Sequence, residues 1–218
     1  MPCPLGDLVR LQSILFALVI ACCARAGADE SRDPWTAAVD WPRLGAAFSA
    51  FVDYPSPENA RAVSALLPEK HAAMGVDGSA AATNIIYEGL PMLERQVEAR
   101  VPEAVQLGFD LYSVADGALW EDLTVVLNKL VRIDPKLFVT QLAQRPMKLK
   151  RPHGLLISAG GPYVDRQRAY CFEIEARAKA IETVKKPALQ AARDRSLAIL
   201  EEARSECRRL GERSDTRH

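Results

Sequence analysis

The chain has 218 residues, 49% of them hydrophobic and 26% charged, with 28 basic side chains balancing 28 acidic ones. That composition excludes disorder over most of the length, and twelve glycines without a three-residue period exclude collagen. A net charge of zero removes any overall attraction to nucleic acid.

Residues 1–28 read as a signal peptide. Arg10 precedes an apolar run from Ile14 to Ala24, too short for an anchored membrane span of about 20 residues. The run ends at the small-residue site Ala26-Gly27-Ala28, and cleavage there leaves Asp29 at the amino terminus. The alternative is a buried N-terminal helix. The acidic stretch at 29–40 (Asp29, Glu30, Asp33) reads instead as a tether. Leu18-Val19-Ile20-Ala21-Cys22 resembles the lipobox of bacterial lipoproteins, which implies lipidation at Cys22. Either route places the protein outside the cytoplasm: periplasmic, secreted or lipid-anchored in the envelope. Membrane contact is then expected only through Cys22.

Residues 41–145 predict a helical domain. Pro42 opens a helix carrying Leu44, Ala47, Phe48, Phe51 and Val52 at 3–4 residue spacing. Ser56 caps a second, short helix with Pro57 at its first position, and Pro68 stops it. After a loop at Gly75–Gly78, a third helix is predicted over 79–100, with a kink expected at Pro91. Pro102 opens a fourth, a fifth spans 119–133, and Asp134-Pro135 starts a sixth that Pro146 ends. The short helices over 102–145 resemble the helix-pair texture of HEAT-like solenoids. An irregular helical bundle explains the same pattern. The fold class is all-α on either reading.

Residues 146–163 form a basic, glycine-containing loop, in which Leu155-Leu156-Ile157 reads as a strand fragment or a segment plugging the core. Residues 164–213 predict two long helices broken at Lys186-Pro187, an antiparallel hairpin belonging to the same domain. Of five cysteines, Cys3, Cys22 and Cys23 fall in the signal region, leaving Cys171 and Cys207. Cys171 lies 16 residues before Pro187 and Cys207 lies 20 after it, so a turn centred near Leu189 sets them level. Cys171 shares a helical stripe with Ile174, Ala178 and Ile181, and Cys207 shares one with Leu200, Ala203 and Leu210. A disulfide is predicted; two buried free thiols are the alternative.

The zero net charge conceals an asymmetry. Residues 29–144 hold 9 basic and 17 acidic side chains, whereas residues 145–218 hold 17 basic and 10 acidic. Lys148, Lys150, Arg151, Lys185, Lys186, Arg208 and Arg209 thus read as a surface for an anionic partner. The plainer alternative is a set of solvated helix faces.

Catalytic signals are sparse. His71, His153 and His218 are far apart in sequence, and no metal-binding spacing occurs, so neither metal nor cofactor is expected. Ser158, beside Gly160-Gly161 and five residues after His153, is the sharpest nucleophile candidate; a plain turn is its alternative. Glu88, Glu94 and Glu98 on one helix, and Glu121-Asp122 beside Trp120, are the carboxylate candidates for a hydrolase. Trp35 and Trp41 read as core packing for the entry of the chain. The expected function is a non-catalytic binding or scaffolding module of a bacterial-type envelope. Its partner is expected to be another protein or an anionic envelope component, not nucleic acid. The alternative is a helical hydrolase acting on an envelope substrate.

Overall fold

The computed structural model describes residues 40–67, 80–115, 117–145, 152–158 and 166–215. The predicted signal region with Cys22, the predicted tether with Trp35, the segment 146–151 with Lys148, Lys150 and Arg151, and Gly160-Gly161 lie outside them. The described residues are helical almost throughout and contain no strand.

Helix α1 spans Trp41–Asp53, with Pro42 in its first turn. Asp40 caps it by accepting from the Arg43 N–H at 3.1 Å. The predicted stripe is its inner face: Leu44, Phe48 and Phe51 are fully buried, as is most of Trp41. Helix α2, Pro57–Ser64, starts as its sequence predicts, with Ser56 Oγ accepting from the Asn59 N–H at 3.2 Å. Helix α3, Ala80–Glu98, continues through Pro91, which lies on its exposed side.

The end of α3 is a double-bonded turn. Arg100 has a left-handed backbone (φ 60°). Its N–H donates to the Val97 carbonyl at 2.9 Å, and the Val101 N–H donates to Gln96 at 3.0 Å. This pairs otherwise orphaned helix carbonyls in the arrangement that usually takes glycine. Arg100→Gly should therefore raise stability by about 1 kcal/mol. The shift of the urea midpoint checks this; a fall in midpoint would contradict it.

Helix α4 (Pro102–Val114) and helix α5 (Gly117–Asn128) follow. The predicted fifth helix is in fact divided at Lys129, giving α5 and a single turn, α6, Leu130–Ile133. The Arg132 and Ile133 N–H groups both donate to the Lys129 carbonyl at 3.1 Å, a tightened turn. It leads directly into Asp134, whose carboxylate accepts from the Leu137 N–H at 2.8 Å and caps α7, Pro135–Gln144.

The triplet Leu155-Leu156-Ile157 belongs to a short helix, α8, Pro152–Ile157, rather than to a strand. Leu155 and Leu156 are completely buried, so the segment does plug the core. A short apolar run suits either a helical turn or a strand buried on both faces, and sequence spacing alone cannot separate them.

Helix α9 (Gln167–Glu182) and helix α10 (Gln190–Asp215) are joined through a 3-10 turn at Pro187–Leu189. Leu189, the predicted centre of the turn, is buried. The Cys171–Cys207 disulfide joins the helices with their Cα atoms 5.6 Å apart. At mid-length, Arg204 on α10 reaches Glu175 at 2.8 Å and Glu182 at 3.3 Å on α9. The N–H of Arg204 Nε points off the Glu175 oxygen, so that contact is an ion pair rather than a hydrogen bond.

Packing follows chain order. Helix α1 lies on α3, α2 on α1 and α4, α5 on α3 and α4, and the hairpin on α6, α7 and α8. One core runs through all of them and includes Phe48, Phe51, Phe109 and Phe138. Helices α1 and α3 approach closely because Gly89 has no side chain: a Cβ there would sit 2.6 Å from Phe48 Cε1. Both a bundle and a short array describe this architecture.

Candidate functional site

Ser158 follows the last turn of α8. The last carbonyls of a helix lack partners within it and need donors from elsewhere. Here the donors are side chains. Arg177 Nη1 donates to the Leu156 carbonyl at 2.9 Å and to the Ser158 carbonyl at 2.8 Å. Asn128 Nδ2 donates to the same Ser158 carbonyl at 2.7 Å. Arg177 is 3% exposed, and its charge is met by Glu173, which accepts from Nε at 2.9 Å. Glu173 also accepts from Arg132 at 2.9 Å. Four elements therefore meet at the end of α8: α5 through Asn128, α6 through Arg132, α9 through Glu173 and Arg177, and α8 itself. The Ser158 backbone serves as a junction at a helix end, a different setting from the strand–turn–helix that presents a nucleophilic serine. His153 is exposed on α8.

A second buried cation closes the other side of the middle helices. Arg145 follows α7 and donates from Nε to Asp110 at 3.0 Å and from Nη1 to Gln141. Its guanidinium carbon lies 5.9 Å from the centre of the Phe109 ring. Ser64 on α2 donates to the other Asp110 oxygen at 3.2 Å. A cleft of about 20 Å³ adjoins Arg145, bounded by Leu142, Pro152, Arg195, Ser196 and Ile199. That is room for a water-sized molecule.

The carboxylate candidates divide. Glu94 and Glu98 both bind Lys129 Nζ, fastening α3 to the break between α5 and α6. Burial pulls the Lys129 ammonium down, but the bonds from Glu94 and Glu98 outweigh it and raise its pKa above the ordinary 10.5. The tie therefore contributes fully at pH values below the unfolded value and is lost as pH climbs through the higher folded one. Urea midpoints of the native chain and of Lys129→Met should differ at pH 8 and converge above pH 10.5. A gap that persisted at high pH would show that packing of the lysine stem, not its charge, makes the tie.

Glu88, Glu121 and Asp122 are exposed. After burial, the charges of Asp122 and then Glu121 raise the Tyr87 phenol above its ordinary 10.0. Trp120 is half-buried, 5.8 Å from the Tyr112 ring centre. It packs over Gly154, where a Cβ would lie 2.8 Å from Trp120 Cζ2. Gly154→Ala should cost about 1–3 kcal/mol as the indole is displaced. Chemical denaturation measures this, and an unchanged midpoint would show that the indole moves freely.

The basic residues predicted to form one surface are spread along the hairpin. Lys185 and Lys186 are exposed at its closed end, and Arg208 and Arg209 are exposed beside the disulfide. Some 20 helical residues separate these groups along α10, roughly 30 Å at 1.5 Å per residue. Arg208 is held by Glu201 at 2.7 Å and Ser205 at 2.8 Å on its own helix.

Sequence reasoning missed Arg177, Arg145 and Asn128. A faint signal existed for one of them. Arg177 lies beside Ile174, Ala178 and Ile181, on a stripe otherwise apolar. A polar residue on such a stripe implies a buried hydrogen-bond partner.

Among the described residues, no cluster of three His, Cys, Asp or Glu side chains could hold a metal ion. No described helix is long and apolar enough to cross a membrane. Set against protein-family models, curated proteins and solved structures, the chain matches none.

Proposed function

We propose that this chain is an exported, non-catalytic helical module that binds or scaffolds a partner in a bacterial-type envelope. The observation that carries the reading is the Cys171–Cys207 disulfide in the hairpin. Such bonds persist in oxidising compartments, which agrees with a cleaved or lipidated leader over residues 1–28. The polar groups best placed for chemistry support it too. Arg177 ties α9 to the end of α8, Arg145 with Asp110 ties the end of α7 to α4, and Lys129 with Glu94 and Glu98 ties α3 to the break between α5 and α6. The partner is another protein or an anionic envelope component, met by the exposed lysines at the closed end of the hairpin.

Intact-mass measurement of the chain produced in a bacterium tests export. The expected product starts at Asp29, or at a lipidated Cys22, and is about two daltons light because the disulfide has formed. Full-length, reduced protein in the cytosol would refute the reading. Binding to polyphosphate, standing in for an acidic wall polymer, tests the anionic partner. Lys185→Ala with Lys186→Ala should weaken it roughly three- to tenfold, as expected for two exposed charges. Unchanged binding would place the contact elsewhere.

A further inference from the structure

Among the described side chains near the end of α10, those of 204–209 hold to α9 by little except the disulfide. Ala203 is buried, but none of residues 204–209 is. The sequence from Arg204 to Asp215 contains a single large aliphatic residue, Leu210. A helical stretch of that length without an apolar stripe is marginal in water. Among the described side chains, its ion pairs across the hairpin are those of Arg204 to Glu175 and Glu182. Arg208 bonds only within α10. The preceding part of the helix is anchored differently, by buried Ser196 and Leu200, after the buried Leu189 of the 3-10 turn.

Tyr170, next to the bonded Cys171, is half-buried and packed against the core. Burial and then the neighbouring charge of Glu206 on α10 raise its phenol pKa, with Arg177 opposing them. Both bonded cysteines are themselves only half-buried, so a small thiol reagent can reach the sulfurs.

We propose that the Cys171–Cys207 bond is a redox latch: a dithiol that reduces it frees the end of α10, from Arg204 onward, from α9 and moves Glu206 away from Tyr170, while the rest of the fold persists. One thiolate of the dithiol attacks a disulfide sulfur, forms a mixed disulfide and expels the other cysteine as thiolate. The second thiol of the reagent then displaces the first cysteine. Two electrons pass to the protein, both cysteines end as thiols, and the reagent closes to its own cyclic disulfide.

The test is hydrogen exchange on the full folded chain, with and without dithiothreitol, the reduction being confirmed by a mass gain of about two daltons. Amides of 204–215 should exchange roughly tenfold faster or more after reduction, while those of α3 to α5 stay unchanged. In parallel, the Tyr170 phenol, assigned with Tyr170→Phe, should titrate at lower pH in the reduced protein and in Cys171→Ser/Cys207→Ser. Unchanged exchange in 204–215 after verified reduction would overturn the latch. So would acceleration spreading through α3 to α5, or a bond that the dithiol fails to open in the folded chain.

Discussion

Replacing Arg177 with methionine should cost about 3–5 kcal/mol of folding stability, because removing one partner of a buried ion pair strands the other. Methionine matches the length of the arginine stem, so little packing is lost. What disappears is the set of donors. The Leu156 carbonyl loses its bond from Nη1, and Glu173 loses the buried one of its two cations. Two features pull the expectation towards the lower end of the range. Glu173 keeps Arg132, and the Ser158 carbonyl keeps Asn128. The measurement is urea unfolding of Arg177→Met, Asn128→Ala and the double variant. The two substitutions share the Ser158 carbonyl and should be non-additive by 0.5 kcal/mol or more, roughly, as for other contacting pairs. A loss below about 1 kcal/mol for Arg177→Met would mean the end of α8 is satisfied by water instead.

The second large effect is expected from Cys171→Ser with Cys207→Ser. Closing the loop between cysteines separated by 36 positions removes conformational freedom from the unfolded chain. The chain-entropy relation puts this at about 4 kcal/mol. The serine variant should therefore unfold at lower urea while keeping its helical signal. Reductant should lower the midpoint of the native protein to nearly the same value and leave the variant unaffected. If the freed end of α10 opens extensively, the reduced native state gains entropy and the loss falls below that figure. Equal midpoints for the oxidised protein and the variant would show that the bond does not constrain the unfolded chain.

Much of the local structure was readable before any coordinates. Asp134-Pro135 and Ser56-Pro57 start helices because a short side-chain acceptor and a residue lacking an N–H both suit the first turn. The stripe from Leu44 to Phe51 faces inwards because burying apolar area is favourable whatever lies opposite. The pairing of Cys171 with Cys207 followed from two helix lengths about one turn, an estimate that the 3-10 turn at Pro187–Leu189 leaves intact.

The division of the fifth helix at Lys129 was not readable. It depends on Glu94 and Glu98 of another helix drawing the lysine and on Asp134 capping the next one. The candidate site shows the same boundary. Serine, histidine and paired glycines over 153–161 suggest chemistry when read in line, because sequence reports which groups are near along the chain and nothing about which donors arrive from elsewhere. Arg177 arrives from 19 residues away and Asn128 from 30, and together they make the Ser158 carbonyl a structural joint.

Periodicity and capping, which act over a few residues, were determined by the sequence itself: helix positions, the inward faces and the level of the two cysteines. Tertiary structure alone decided the partners of the buried charges. A desolvated guanidinium must find acceptors wherever the packed helices bring them, and that is a property of the assembled core.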